Sequence, residues 1–454
     1  MKLRHYQKLA VRYLLNNPHS GLLAKPGLGK TLVTLVVLGH VLKQSPDTKV
    51  LIIAPKNVCE LVWPQEIEKW GFPYKAAYMH GSYKNKVAAN PPTLVLTTPD
   101  TFRRMADKLW VDKGSHFPWD VLVVDESSFF KSPKTARFKT LKKVLSRHEL
   151  QRTHILTGTP QPNHLLELWP QMWLADQGKA LGNSFYSYRS RFFYQSGHGG
   201  YTWQPFDGAD KKVYSLIKES NSAIALMSEE LVDVPPLLEQ QIRIELPASV
   251  RGLYKDMETK FRAELQNGAV TAVNAAVKAG KLRQFTAGAV YTDGDTYEVI
   301  HTAKAAAIRD LVQERQGAPL MVFYEYIHES ELLKKALKDF RVADLSKAGS
   351  RTHRIELAEQ WRRGEIEVLL LHPKSAGHGL NLQCPNADVC WSTLPWSGEL
   401  YEQGNSRIHR QGQETSVVSY LITAAKTVDE LVLERLRDKA KGQKRLFDFL
   451  KERL

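Results

Sequence analysis

The chain has 454 residues, too many for one ordinary hydrophobic core and enough for two or three domains. Hydrophobic residues make up 43% and charged residues 24%, the balance of a folded, soluble protein, and no apolar run is long enough to span a bilayer. Lys+Arg of 63 against Asp+Glu of 48 leaves a formal +15, which points to a polyanionic partner.

Three cysteines, Cys59, Cys384 and Cys390, show neither metal-type spacing nor a disulfide framework, so a reducing, intracellular setting is expected. The stretch Met1 to Leu15 lacks the apolar core of a signal peptide. It opens instead with Leu3-Arg4-His5-Tyr6-Gln7 and apolar residues at Leu9, Ala10, Tyr13 and Leu14, a helical spacing that makes Gln7 a candidate reader of an adenine edge. Next comes Ala24-Lys25-Pro26-Gly27-Leu28-Gly29-Lys30-Thr31, running into a helix-compatible segment from Leu32 to Leu42. A triphosphate needs inward backbone N–H groups, one cation and one hydroxyl that reaches Mg²⁺. Gly27 and Gly29 supply the turn, Lys30 the charge for the β/γ-phosphates, and Thr31 the metal hydroxyl.

Short apolar runs then recur, each read as a buried parallel strand ending in a ligand-bearing loop. Val50 to Ala54 ends in Pro55-Lys56-Asn57, and Thr93 to Thr97 ends in Thr98-Pro99-Asp100. Val121 to Val124 delivers Asp125-Glu126-Ser127-Ser128, where Asp125 is placed to hold Mg²⁺ and Glu126 to polarise the attacking water. His154-Ile155-Leu156-Thr157 ends in Gly158-Thr159-Pro160. This alternation of strands and helices describes a P-loop α/β lobe.

Leu165 to Phe193 is rich in Trp, Tyr and Phe, with Arg189 and Arg191 near its end; core packing is the favoured reading, base stacking the alternative. Asp233-Val234-Pro235-Pro236 marks the lobe boundary, giving an ATP-binding lobe over 1–235 and a second lobe over 236–454. A helical insertion is expected at about 247–300. Pro319 to Phe323, Val368 to Leu371 and Val417 to Ile422 read as further strands, with a helix from Ser330 to Phe340. The tail from Thr427 onward reads as a helix packed on the second lobe.

Gln7, Gly27-Leu28-Gly29-Lys30-Thr31, Ala54-Pro55-Lys56, Thr97-Thr98-Pro99, Asp125-Glu126 and Leu156 to Pro160 together resemble the ordered motifs of superfamily 2 helicases of the Swi/Snf-like branch. Ser375-Ala376-Gly377-His378-Gly379-Leu380-Asn381-Leu382 resembles that family's fifth motif, and Gln403-Gly404-Asn405-Ser406-Arg407-Ile408-His409-Arg410-Gln411-Gly412-Gln413 its sixth. Leu282-Arg283-Gln284 resembles the family's connector. The resemblance implies two tandem RecA-like parallel-sheet lobes with a nucleotide cleft between them. It also implies a DNA-dependent ATPase using ATP and Mg²⁺. Gln403, Arg407 and Arg410 would join the catalytic set, with the two arginines, three residues apart, on one face of a helix as arginine fingers. Track contacts without sequence reading are expected from Pro55, Lys56, Thr98, Pro99, Thr157, Thr159, Ser375, Gly377 and Gly379.

The reading that follows is an ATP-dependent translocase on double-stranded DNA, monomeric, of the compact kind met in bacteriophages and bacteria and acting in the bacterial cytoplasm. Replication, recombination or transcription proteins are the partners in view. A strand-separating helicase on forked or branched DNA is the first alternative, with Tyr201-Thr202-Trp203 as a candidate wedge. A non-hydrolysing nucleic-acid clamp is the second. Intact Lys30, Asp125, Glu126, Arg407 and Arg410 count against it.

Overall fold

Short apolar runs form most of the strands of two parallel sheets in the computed structural model of the chain. The structure describes residues 3–196, 202–226, 234–266, 272–292, 296–376 and 382–451. The chain divides into two units, Met1–Asp233 with Lys439–Leu454, and Val234–Asp438.

The first unit carries strands β1 (His19–Ala24), β2 (Val50–Ile53), β3 (Ala76–Tyr78), β4 (Leu94–Thr97), β5 (Val121–Asp125), β6 (Arg152–Thr157), the hairpin β7 (Phe193–Ser196) and β8 (Thr202–Pro205), and β9 (Ala223–Leu226). Its sheet runs β3-β4-β2-β5-β6-β1-β9, with every neighbouring pair parallel. Because β5 and β6 lie between β1 and β2, the loops that follow β1, β5 and β6 open side by side at the carboxyl edge. Both faces are buried. Leu23, Leu51, Ile53, Leu122, Val124 and Ile155 share one core with Leu168 and Met172 of the helix Leu168–Asp176. Their alternates Leu22, Ile52, Val123 and Leu156 are equally buried. This is why these strands read as unbroken apolar runs instead of alternating ones.

The aromatic stretch after β6 is largely core, as its sequence suggests. Trp169, Trp173, Tyr188, Phe192 and Phe193 are all buried in the first unit. Tyr186 and Tyr194 are not.

The second unit carries β10 (Leu237–Ile244), the hairpin β11 (Ala289–Tyr291) and β12 (Tyr297–Val299), β13 (Leu320–Phe323), β14 (Val342–Asp344), β15 (Val368–Leu371), β16 (Asp388–Trp391) and β17 (Val417–Ala424). The sheet order is β10-β17-β16-β13-β15-β14, again all parallel. β10 is an edge strand exposing Glu239, Gln240 and Gln241, polar residues that discourage pairing with another chain. The insertion consists of the helices Ala248–Gln266 and Ala272–Thr286 followed by the hairpin. Behind the strand ends, Lys304 pairs with Asp429 at 2.7 Å, both side chains buried. Asp429 also accepts from Thr286 Oγ1 at 2.9 Å and the Ala424 N–H at 3.0 Å, so the buried pair is fully hydrogen-bonded.

The tail departs from expectation. The helix Val428–Lys451 puts Val428, Val432, Leu433 and Leu436 into the second unit's core, but Leu446, Phe447 and Leu450 into the first unit's. The boundary of 236–454 read for the second lobe is corrected accordingly, because the apolar positions of residues 439–450 are buried beside β6 residues and not beside those of the second sheet. Phe447 is fully buried, and Lys25 Nζ of the glycine-rich loop lies 5.3 Å from its ring centroid. Phe447→Ala is expected to cost about 3–5 kcal/mol of first-unit stability, read as a lowered urea midpoint at unchanged slope.

Candidate nucleotide site

The loop after β1 is shaped by two glycines in the left-handed region, Gly27 at φ 85° and Gly29 at φ 78°. Any side chain at these positions would be strained. At Gly29 a Cβ would also fall 2.6 Å from Gln7 Nε2. Lys30 and Thr31 start the helix Lys30–Gln44. Lys30 Nζ donates to the carbonyl of Ala24, the last residue of β1, at 2.9 Å, which folds the ammonium back over the loop.

Gln7 is buried beside this loop. Its Oε1 accepts from the Arg4 N–H at 3.0 Å and its Nε2 donates to the Leu28 carbonyl at 3.3 Å. The first bond caps the helix His5–Asn16 and the second ties that helix to the loop.

Two strands away, β5 ends in Asp125, 6% exposed. Burial pushes its carboxyl above the usual carboxylate range, while the Lys30 charge and the Trp63 hydrogen bond pull the other way. Trp63 Nε1 donates to Oδ2 at 3.0 Å and the Glu126 N–H to Oδ1 at 3.0 Å. A buried carboxylate whose ionisation depends on nearby positive charge suits a divalent cation. Glu126 itself sits at φ 53°, ψ 58°, a left-handed conformation that an L side chain holds only against strain.

Between them β6 ends in Thr157, and Gly158 packs against the loop. A Cβ there would meet Pro26 Cδ at 3.1 Å and the Ala24 carbonyl at 3.3 Å. Thr157 Oγ1 accepts from the Thr159 N–H at 3.0 Å, and the two threonines are 0% and 1% exposed. The Thr157 hydroxyl therefore shapes this turn from inside, and the expectation that the two threonines touch a track is corrected by their burial.

The other expected track residues divide. Lys56 is exposed, 3.9 Å from Glu60, whereas Pro55 and Pro99 are buried. Thr98 caps the helix Pro99–Ala106, its Oγ1 accepting from the Thr101 N–H at 3.2 Å. Ser375 is exposed; Gly377 and Gly379 lie outside the described residues.

In the second unit, the helix Gly398–Asn405 begins at Ser397, whose Oγ accepts from the Leu400 N–H at 3.4 Å. Gln403 is buried on it. The helix ends at Asn405, so Arg407 lies in a following turn, its N–H donating to Gly404 O at 3.0 Å, and Arg410 lies beyond. The shared helical face expected for the two arginines is thus replaced by a turn. Asn405 is the reason. Its Oδ1 accepts from Trp391 Nε1 at 2.9 Å and from Ser419 Oγ at 3.1 Å, pinning the end of the helix to the sheet.

Three contributors escaped sequence reading. Trp63 holds Asp125 across 62 residues of chain. Gln443, 3% exposed, donates from Nε2 to Gly158 O at 2.9 Å, and Phe447 backs Lys25. No local spacing links any of them to the loop they support; only their apolar surroundings signalled burial.

With this geometry in place, comparison with known proteins is decisive. Residues 6–286 match the SNF2-related domain, and residues 303–412 the helicase conserved C-terminal domain. The chain belongs to the SNF2-related family. Protein p41 of Acyrthosiphon pisum secondary endosymbiont phage 1 is 32% identical over 99% of both chains. The ISWI chromatin-remodeling complex ATPase ISW2 of Saccharomyces cerevisiae is 24% identical over 96% of this chain and 40% of its own length. Human ZRANB3, a DNA annealing helicase and endonuclease, is 24% identical over 97% of this chain and 40% of its own. The chain thus spans about two fifths of these eukaryotic relatives. Among solved structures, the Sulfolobus solfataricus SWI2/SNF2 ATPase core in complex with dsDNA is similar at 19% identity and a TM-score of 0.45, covering 100% of this chain and 94% of that one.

Within this SNF2-related chain, Gly404 is the tightest point of the second-unit motif. A Cβ there would fall 2.6 Å from Trp391 Cζ2, and that indole cannot retreat because it stacks on Phe323 at 4.3 Å. Gly404→Ala is expected to cost about 1–3 kcal/mol by overpacking, seen as a lower thermal midpoint.

Proposed function

We propose that the chain is a DNA-dependent ATPase that moves along duplex DNA and remodels or displaces what it meets. One observation carries this reading: a glycine cradle with Lys30, and a buried Asp125 followed by strained Glu126, stand at strand ends separated only by β6 in a chain from the SNF2-related family. Its relatives' names point the same way, since they include an ATPase of a chromatin-remodeling complex and a DNA annealing helicase.

In this reading the N–H groups around Gly27 and Gly29 bind the phosphates of ATP and Lys30 swings from Ala24 O to the β/γ-phosphates. Thr31 and Asp125 would hold Mg²⁺, which supplies charge neutralisation at the phosphates. Glu126 orients the attacking water. Gln7, already bonded on both sides of its carboxamide, contributes by holding the cradle and reads the adenine edge only if one of those bonds is exchanged. Arg407 and Arg410, with Gln403, supply transition-state charge from the second unit. Lys56, Thr98 and Ser375 remain the proposed phosphate contacts of a sequence-indifferent track. The phage relative agrees with an enzyme of the bacterial cytoplasm, and the enzyme is read here as a monomer.

Hydrolysis measured in parallel with duplex, single-stranded and branched DNA and RNA tests this. The expected result is slow basal turnover raised strongly by duplex DNA and falling steeply with salt. Equal rates with and without nucleic acid at low salt would overturn the reading.

Arg407→Ala and Arg410→Ala are each expected to lower DNA-stimulated turnover by about 10³ to 10⁵ while leaving ATP affinity nearly intact. Arg→Lys should rescue poorly, because an ammonium cannot bridge two oxygens in one plane. Near-normal turnover in a variant that melts like the parent removes that arginine from catalysis.

A further inference from the structure

Much of the excess positive charge sits in one place. Residues 131–147 contain seven Lys and Arg and no Asp or Glu. They include the helix Ala136–Leu145, which buries Phe138, Leu141, Val144 and Leu145 in the first-unit core. The opposite side is left to Lys139 and Lys143, with Arg147 one turn on, all exposed. Like charges four residues apart oppose the helix. The acids facing this helix meet other positions of it: Asp100 binds Arg137 through two bonds of 2.7 Å, and Asp107 accepts from Thr140 Oγ1 at 2.7 Å.

This basic row adjoins an aromatic surface. Lys142, on the same helix, donates to Asn183 O at 3.0 Å and lies 4.9 Å from the Trp169 ring. Trp169 packs edge-on against Phe185 at 5.6 Å, the first residue of the helix Phe185–Phe192. The next residue, Tyr186, is 70% exposed, and the Arg189 guanidinium stands 5.2 Å from its ring and 4.0 Å from that of Trp203. Through Lys142, Trp169 and Phe185 the basic helix is thus joined to an accessible ring with a guanidinium beside it. Cations that track phosphates beside rings that accept bases are what an unpaired strand requires, whereas an intact duplex keeps its base faces stacked away from such rings.

We propose that this strip, from Lys139 and Lys143 to Tyr186 and Arg189, binds single-stranded nucleic acid outside the nucleotide site. The strip lies on residues that take no part in the proposed hydrolysis, and its test needs no ATP.

The experiment is fluorescence anisotropy of a labelled oligothymidylate with the full chain, over a salt series, beside a blunt duplex of equal length. Tyr186→Ala should weaken single-strand binding about five- to a hundredfold, and Tyr186→Phe should restore it. Lys139→Gln with Lys143→Gln should flatten the salt dependence by about 1.4 in the log–log slope, at roughly 0.7 for each phosphate no longer neutralised. Blunt-duplex affinity and duplex-stimulated ATPase should stay at the parent level in every variant. Unchanged single-strand affinity in both variants overturns the proposal. So does an equal loss for strand and duplex, which would make the strip part of a duplex track. A parent chain whose ATPase ignores DNA overturns the motor reading alone, because the binding comparison is made without nucleotide.

Discussion

Asp125 is a carboxylate placed where water hardly reaches, and much of the first unit follows from keeping it there. Its ionised form costs desolvation, which Trp63, the Glu126 N–H and the charge of Lys30 offset. To supply them, β5 must lie between β2, whose following segment carries Trp63, and β6, whose turn closes onto the cradle that carries Lys30. Gly158 is part of the same constraint, since a side chain there would press on Pro26 and displace the loop. The strained backbone of Glu126 follows from the same crowding: the chain must turn sharply as soon as it leaves a buried strand end.

That turn is held from two directions. From the front it meets the cradle at Pro26; from behind, Gln443 donates to the Gly158 carbonyl, and Lys439 Nζ bonds Asn163 Oδ1 at 2.9 Å. A carbonyl at the end of a buried strand needs a donor once the ladder stops. Here the donor comes from the far end of the chain, on the helix Val428–Lys451 whose first half belongs to the second unit's core. The first unit is therefore incomplete without residues 439–450.

The strand-and-loop plan was readable because parallel strands buried on both faces leave uninterrupted apolar runs, as at Val50–Ile53 and Val121–Val124. The cradle was readable because only glycine accepts the φ values at positions 27 and 29. β10 and β16 were not, since β10 is a polar edge strand and Asp388–Trp391 opens on a carboxylate that binds Arg315. Thr157 and Thr159 show the limit of motif reading. Their hydroxyl chemistry suits a phosphate, but both are buried, Thr157 at the end of β6 and Thr159 in the turn that follows. The helical face inferred for Arg407 and Arg410 failed for a similar reason: spacing cannot reveal that Asn405 is tied to Trp391 and stops the helix.

Net charge alone does not say where a polyanion lies. A motor of this family would be served by cations at the carboxyl edge of its sheets, yet the exposed Lys56 there is partly compensated by Glu60. Exposed positive charge also runs down the helix Ala136–Leu145 at Lys139 and Lys143, while Arg137 on the same helix is paired with Asp100. An accessible ring at Tyr186, joined to that helix through Lys142, Trp169 and Phe185, offers an unpaired strand something a duplex cannot use, an open face on which to stack. Charge distribution and aromatic exposure, two features with independent physical origins, are what the proposed single-strand site rests on.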